Sequence, residues 1–346
     1  MSINVGAADV TLLVIGDSWT QDNRERFLWP RMPQARVLTR SEGYTGVYNY
    51  QLPNLDNFMA KDQGLQKWQP GQSKRAVRPL GKSQVTLNSD RYDLPPMSRP
   101  SQRQAAHRWR DLEMNVIPGM LGQMYQQIDQ MLRVFLTDVG TFGAAVAFTN
   151  GGGALDNKAD QANQSPLQDM LAALIPLRKY ANRSGFQLEC VIDEHVLDVF
   201  AGHPDFTGAG TGSAIASVLE VSAVEAIMRS RLRLDDVHIM RVVSDTVRRG
   251  QPSAINNIYN GVLGFYVMDR RGDFDLRSQD SPDAPDGAVV MGLGQEPQVR
   301  NNIDERHLTE YFDAEADFGF LSPRGTDFGL FFQATGPGGI FTTLPA

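Results

Sequence analysis

Between Gln102 and Thr137 the apolar residues Leu112, Val116, Met120, Met124, Ile128, Met131 and Phe135 recur at steps of three and four. That spacing puts them on one face of an α-helix. At 1.5 Å per residue a helix of roughly 36 residues is about 50 Å long, which is unusual for a globular domain. Other elements must therefore be laid along it to cover its apolar face. Pro118-Gly119 falls inside the run, and a proline there removes a donor and clashes with the preceding turn. A kink or a split into two helices is expected at that point.

The residues N-terminal to this helix cannot build a core of their own. Residues 24–37 contain the string Phe27-Leu28-Trp29-Pro30-Arg31-Met32-Pro33. Tyr44, Tyr48 and Tyr50 then alternate with small or polar residues, which is the pattern of an extended strand. From Lys61 to Arg99 the composition turns basic and poor in aliphatic residues, with Lys61, Lys67, Lys74, Arg75, Arg78, Lys82, Arg91 and Arg99. Pro70-Gly71 and Gly81 mark turns. The segment reads as a long two-stranded excursion, with residues 83–87 as the returning strand. A loop of that length inside a compact domain calls for a function.

C-terminal to the helix, the chain alternates between strand and helix periods. Residues 142–148 read as a strand before the break at Gly151-Gly152-Gly153. Ser165-Pro166-Leu167-Gln168 is a helix start, with serine as cap, proline in the first turn and glutamine placed to complete a capping box. That helix should run to about Asn182 and bend at Pro176. A strand at 187–192, a short helix at 194–200, a flexible Gly/Thr/Ser stretch at 207–213, a helix at 218–232 and a strand at 237–243 complete an α/β unit. Four further strands are expected at 261–268, 287–291, 318–321 and 328–333.

The bulk numbers exclude more than they assign. Lys and Arg total 33 against 40 Asp and Glu, for a net charge of -7. Such a balance argues against gripping nucleic acid through an overall basic surface. Cys190, the only cysteine, sits in an apolar run and reads as a small buried hydrophobe; neither an intrachain disulfide nor a cysteine-based metal site is possible. The apolar run at 10–15 is too short to span a bilayer and lacks the flanks of a signal peptide, so the chain is expected to stay in the cytoplasm where it is made. His107, His195, His203, His238 and His307 show no metal-binding spacing. No metal and no cofactor are expected.

One string points to catalysis. The apolar run into Gly16-Asp17-Ser18-Trp19 resembles the nucleophile block of the SGNH hydrolases, and Asp235-Asp236-Val237-His238 supplies an Asp-x-x-His pair. The resemblance implies Ser18 as nucleophile with a histidine base. Against it, the Asp-x-x-His lies in mid-chain, the Gly-x-Asn-Asp block is absent, and repeated strand–helix units do not surround Ser18.

The order of elements as a whole resembles the major capsid proteins of tailed bacteriophages, which have the Hong Kong 97-type fold. The segment Phe27–Pro33 is similar to the hydrophobic Pro-x-x-Pro stretch that precedes their first strand. Residues 48–58 resemble the strand leading into the extension loop (E-loop), Lys61–Arg99 that basic loop, and Asp90-Arg91-Tyr92 the turn out of it. The helix at 102–137 resembles the spine helix, and residues 165–206 the start of the axial domain. The resemblance implies an α+β fold with an N-terminal arm at 1–45, strand and E-loop at 46–100, a peripheral domain (spine helix plus β-sheet) at 101–158 and 260–346, and an axial α/β domain at 159–259.

The function so implied is structural and not enzymatic. Copies would self-assemble into the hexamers and pentamers of an icosahedral shell, a virion component assembled in the host cytoplasm. Expected partners are other copies of the chain, scaffold and portal proteins, and packaged double-stranded DNA bound without sequence specificity, with decoration proteins left open and no membrane. Inter-subunit contacts are expected through Lys67, Lys74, Arg75, Arg78 and Lys82 of the E-loop and through Phe27, Trp29 and Arg31 of the arm. An encapsulin-like nanocompartment shell is the alternative with the same fold, and the hydrolase comes last.

Overall fold

The computed structural model describes residues 20, 23–36, 45–53, 82–98, 109–146, 148, 155, 164–181, 186–211, 219–245, 255–270, 274–275, 286–304 and 309–332. Two one-turn 3-10 helices, Arg24–Arg26 and Trp29–Arg31, lead into β1 (Gln34–Arg36). There follow β2 (Thr45–Pro53), β3 (Lys82–Asp93), β4 (Met97–Ser98), helix α1 (Trp109–Leu136) and the short α2 (Val139–Phe142). The next stretch comprises α3 (Pro166–Ala173), α4 (Ile175–Ala181), β5 (Phe186–Asp193), α5 (Glu194–Gly202), α6 (Pro204–Thr211) and α7 (Val221–Leu232). The described chain closes with β6 (Asp236–Met240), β7 (Val243–Asp245), β8 (Ile255–Asn257), β9 (Leu263–Asp269), β10 (Phe274–Asp275), β11 (Val290–Asp304), β12 (Thr309–Leu321) and β13 (Gly329–Phe331).

Two sheets carry the architecture. The larger has the order β10-β1-β11-β12-β3-β2, with β4 pairing β12 off that path. The smaller has the order β13-β9-β5-β6, in which β5 runs parallel to β6 and antiparallel to β9. A single cluster of buried side chains joins the arm, α1, the smaller sheet and its flanking helices. The smaller sheet takes β5 and β6 from residues 159–259 and β9 and β13 from 260–346. The two units read from the sequence thus share one sheet and one core.

Helix α1 lies against β11 and β12 and runs through Pro118 as one helix, so of the kink or split expected there the split does not occur. The lost hydrogen bond and the ring clash cost about 3 kcal/mol in an isolated helix. Here Ile117, Met120 and Leu121 are buried on either side of the proline, and their packing outweighs that cost. The bend expected at Pro176 does occur, as a break at Leu174 between α3 and α4.

Four local expectations are corrected. Among the described residues of 142–148 there is no strand: α2 ends at Phe142, its C-cap Gly143 has φ +80, and Val146 makes an isolated bridge to Phe332. Ser165 makes no side-chain cap; the carboxylate of Asp205 accepts from Leu167 N at 3.0 Å instead. The Gly/Thr/Ser stretch continues α6 as far as Thr211, because Phe206 is buried and stacked on Phe200 at 4.8 Å. The short strands expected at 287–291 and 318–321 are ends of the long β11–β12 hairpin, whose middle holds too many charged and polar residues to read as apolar alternation.

Candidate functional site

The first anchor of the arm is made by its backbone. Asp129 falls on the apolar face of α1, between Tyr125 and Leu132, and is fully buried. Its carboxylate accepts from Leu28 N at 3.2 and 3.1 Å and from Trp29 N at 2.9 Å. Burial pushes this carboxyl up to about 7, although those hydrogen bonds pull the other way. Phe27 and Trp29 meet the ring of Tyr125 edge-on at 5.1 and 4.8 Å. Both are buried within their own chain, at 6% and 2% exposure. The segment that reads as core-poor by itself is completed by a face of the spine helix.

A second anchor is ionic. Glu189 points into the core from β5, and Arg270, just beyond β9, clasps it at 2.6 Å through Nε and 2.5 Å through Nη2. His238 on β6 reaches the same carboxylate through Nε2 at 2.7 Å. Burial pushes the Glu189 carboxyl up, but the bonds from His238 and Arg270 outweigh it and hold it below the usual range. The arm closes the ring: Arg31 Nη1 lies 3.1 Å from His238 Nδ1, and Arg270 Nη1 donates to the Arg31 carbonyl. Sequence reasoning misses this cluster. Its signal is a glutamate inside the apolar strand 187–192, since buried acids need partners; for Asp129 it is an aspartate on an apolar helical stripe.

The extension begins at a ladder end. Strands β2 and β3 pair from Thr45↔Asp90 to Pro53↔Lys82, and β12 joins β3 only at Asp90–Asp93. Residues 82–89 therefore form a two-stranded ribbon with β2 beyond the edge of β12. Its base is seated on paired glycines, Gly292↔Gly319. A Cβ on Gly319 would collide with the Asn88 carbonyl oxygen, and one on Gly292 would come within 2.9 Å of Leu87. Leu87, Tyr50 and Leu52 are buried there with Ala35 and Val290. Lys82 is exposed at the last rung. Lys67, Lys74, Arg75 and Arg78 lie outside the described residues, as does Ser18.

Beside the ribbon, β3 and β12 carry Asp93, Asp313, Glu315 and Asp317. Arg91 pairs with Asp93 at 3.2 Å and with Glu315, and Arg300 pairs with Glu315 at 2.5 Å. Partial burial, reinforced by acidic neighbours, raises Asp313 and Asp317. The acids on this face outnumber the two arginines.

The Asp-x-x-His string is committed to structure. Asp235 accepts from Leu188 N at 2.7 Å, Asp236 pairs with Arg229, and His238 belongs to the buried ionic cluster. Among the described residues, no group of three or more His, Cys, Asp or Glu could hold a metal ion, and no helix is long and apolar enough to cross a membrane.

No family model matches the chain. No curated protein matches it either. Solved structures do. A phage-related protein from Bordetella bronchiseptica RB50 superposes with a TM-score of 0.63 at 11% identity, over 92% of this chain and 95% of its own. The capsid of the cyanophage P-SCSP1u gives 0.46 at 11% identity, over 88% and 87%. A virus-like particle from Pyrococcus furiosus gives 0.46 at 10% identity, over 95% and 100%. The chain therefore shares the α+β fold of the Bordetella phage-related protein, with its elements in the Hong Kong 97-type order that the sequence implied.

Proposed function

We propose that this chain is the major capsid protein of a tailed bacteriophage, a structural subunit that assembles with copies of itself into hexamers and pentamers around double-stranded DNA. The observation that carries the reading is the ribbon ending at Pro53↔Lys82. The basic segment 54–81 joins the two strands at that end and is far longer than the roughly two to five residues of a hairpin loop. A subunit that must overlap its neighbours needs such a reach. Lys67, Lys74, Arg75, Arg78 and Lys82 would lie on the acidic face of β3 and β12 in the next copy, where opposite potentials set the register.

Phe27, Trp29 and Arg31 act in this reading by holding the arm to its own subunit, so that residues ahead of them are presented to a neighbour. The arm (1–45), E-loop (46–100), peripheral (101–158 and 260–346) and axial (159–259) units keep the boundaries that the resemblance implies. Scaffold and portal proteins are further partners, decoration proteins remain open, and DNA is enclosed without sequence specificity. Assembly takes place in the host cytoplasm, and the mature location is the virion.

Electron microscopy of the purified chain, with and without a scaffold protein, tests this directly. Closed icosahedral particles containing DNA or scaffold support it, and particles loaded with an enzyme cargo would assign an encapsulin-like shell instead. A monodisperse monomer or dimer under every condition refutes both. Reversing Arg75 and Arg78 to glutamate should leave capsomers that fail to close; normal shells from that variant would remove the E-loop assignment.

A further inference from the structure

Helix α7 carries opposite charge at its two ends. Glu220 caps its start and Glu225 lies one turn on, whereas Arg229 and Arg231 fall in its last turn and Arg233 just beyond. Its 12 residues, at 1.5 Å each, put the two ends about 18 Å apart. Part of this is the ordinary match of side chains to the helix dipole. Two features go beyond it. Arg233 sits in the left-handed region, at φ 51 and ψ 51, and among the described residues no other non-glycine residue does so. Its N–H closes the helix on the Arg229 carbonyl, a place where glycine is the usual choice because a Cβ is strained there. An arginine kept in that conformation points to a use for its side chain. Arg233 is also gathered with like charge. Arg178 of α4 donates to the Leu232 carbonyl at 2.9 Å, and burial, then the charge of Arg233, lowers its guanidinium from the usual range. Lys179 follows on α4 and is exposed. Among the described residues neither Arg233 nor Lys179 has an ion pair. Asp235, two residues beyond Arg233, is tied to Leu188 N at 2.7 Å, and Asp236 is paired with Arg229.

The other end of α7 opens on a cleft of about 960 Å³ shared with the arm, β6 and the residues after β6. Glu25, Glu220 and Glu225 line it against Arg26 and Arg241. Glu225 is paired with Arg229 at 3.0 Å, and Arg241 with Glu194 at 2.8 Å. Glu25, Glu220 and Arg26 have no ion pair among the described residues, so acid is in excess in the cleft. Val243 on its wall is 48% exposed.

We propose that copies of this chain meet head to tail through α7, with Arg233 and Lys179 of one copy entering the cleft that Glu25 and Glu220 line in the next. Such a contact joins two different patches of one chain, and copies so joined close into a ring when the rotation allows. Opposite potentials on the two patches set the orientation and disfavour pairing of like ends. A nucleic acid would answer the basic end and leave the acidic cleft unmatched, whereas a second copy answers both. The inference rests on the reading that the chain assembles with copies of itself, and it names the surface used.

Sedimentation velocity of the full chain over a range of concentrations gives the concentration at which half of it is in rings. Arg233→Glu alone, and Glu25→Lys with Glu220→Lys, should each raise that concentration by about tenfold. All three together should return it to within about threefold of wild type. Arg233→Gly controls for misfolding: relief of the left-handed strain should raise the subunit's melting temperature by about 1–2 °C, while the rings still weaken. Wild-type rings with reversals that change nothing, or single effects that the combination fails to restore, overturn this contact and leave the assembly reading standing. A wild type that forms no rings under any condition overturns both. Rings of normal strength from Arg233→Glu that enclose less DNA would give the basic end to phosphate and overturn the contact as well.

Discussion

Replacing Asp129 with asparagine should flatten the pH dependence of stability in a window that the structure defines. The carboxyl is fully buried and raised to about 7, against an ordinary value of about 3.9. Three pKa units at about 1.4 kcal/mol each separate the two protonation states by about 4 kcal/mol. Because the folded pKa is raised, the native state keeps a proton that the unfolded chain gives up from about pH 4. Stability contributed by this group therefore falls as pH rises between about 4 and 7, and the full cost is present above that. From about pH 4.5 to 7.5 the loss should be about 3 kcal/mol. Asparagine cannot ionise; its oxygen can keep the bonds from Leu28 and Trp29, while its amide replaces the second acceptor of Leu28 N. That replacement adds a pH-independent penalty of about 1–3 kcal/mol, so the slope and not the absolute value is diagnostic. Urea unfolding at a series of pH values measures it, with other titrating groups cancelling between the two proteins. Curves parallel within about 0.5 kcal/mol would refute the assignment of a raised, arm-binding carboxyl.

Gly319→Ala should lower the melting temperature sharply, by an overpacking cost of about 2–3 kcal/mol, because its Cβ would collide with the Asn88 carbonyl. Gly119→Ala, which meets nothing within 4 Å on α1, should instead stabilise by about 0.5–1 kcal/mol; opposite signs in calorimetry are the check. Glu189→Gln strips the buried cluster of its negative charge and should cost about 3–5 kcal/mol in unfolding experiments, and a loss under about 1 kcal/mol would mean the cluster is not tightly coupled. His203 is buried with Nδ1 accepting from Asp205 N at 3.1 Å, and burial lowers its pKa. Stability from this group is present above about pH 6.5 and lost as pH falls below it, so His203→Asn should flatten the acid limb of the stability profile, and an unchanged limb would count against a buried neutral ring.

The spine helix is legible because its apolar positions keep one period across α1, and β5 because a short apolar run flanked by turn signals has few other uses. Strands β11 and β12 are legible only at their apolar ends. Their middles, from Gln295 to Asp304 and from Thr309 to Asp317, pair through backbone bonds that leave side-chain composition unconstrained. Proline signals a break correctly at 176 and not at 118, since the same local penalty is decided by how much buried surface flanks it. The anchoring residues Asp129 and Glu189 announce themselves as charges in apolar company, but nothing nearby in sequence names their partners.

The sequence by itself determined the long helix, the alternation of helix and strand at 165–243 and a basic stretch at 61–99 too poor in aliphatic residues to build a core of its own. These follow from periodicity and composition, which are local, whereas the α+β class came from the resemblance of the element order to the tailed-phage capsid proteins. Tertiary structure alone decided that residues 27–32 belong to the core of their own chain, with Leu28 and Trp29 bound across about a hundred residues to Asp129. It also decided that Glu189, His238, Arg270 and Arg31 meet at one point. Such contacts depend on which faces the fold brings together, and the desolvation that gives them their strength exists only after it has done so.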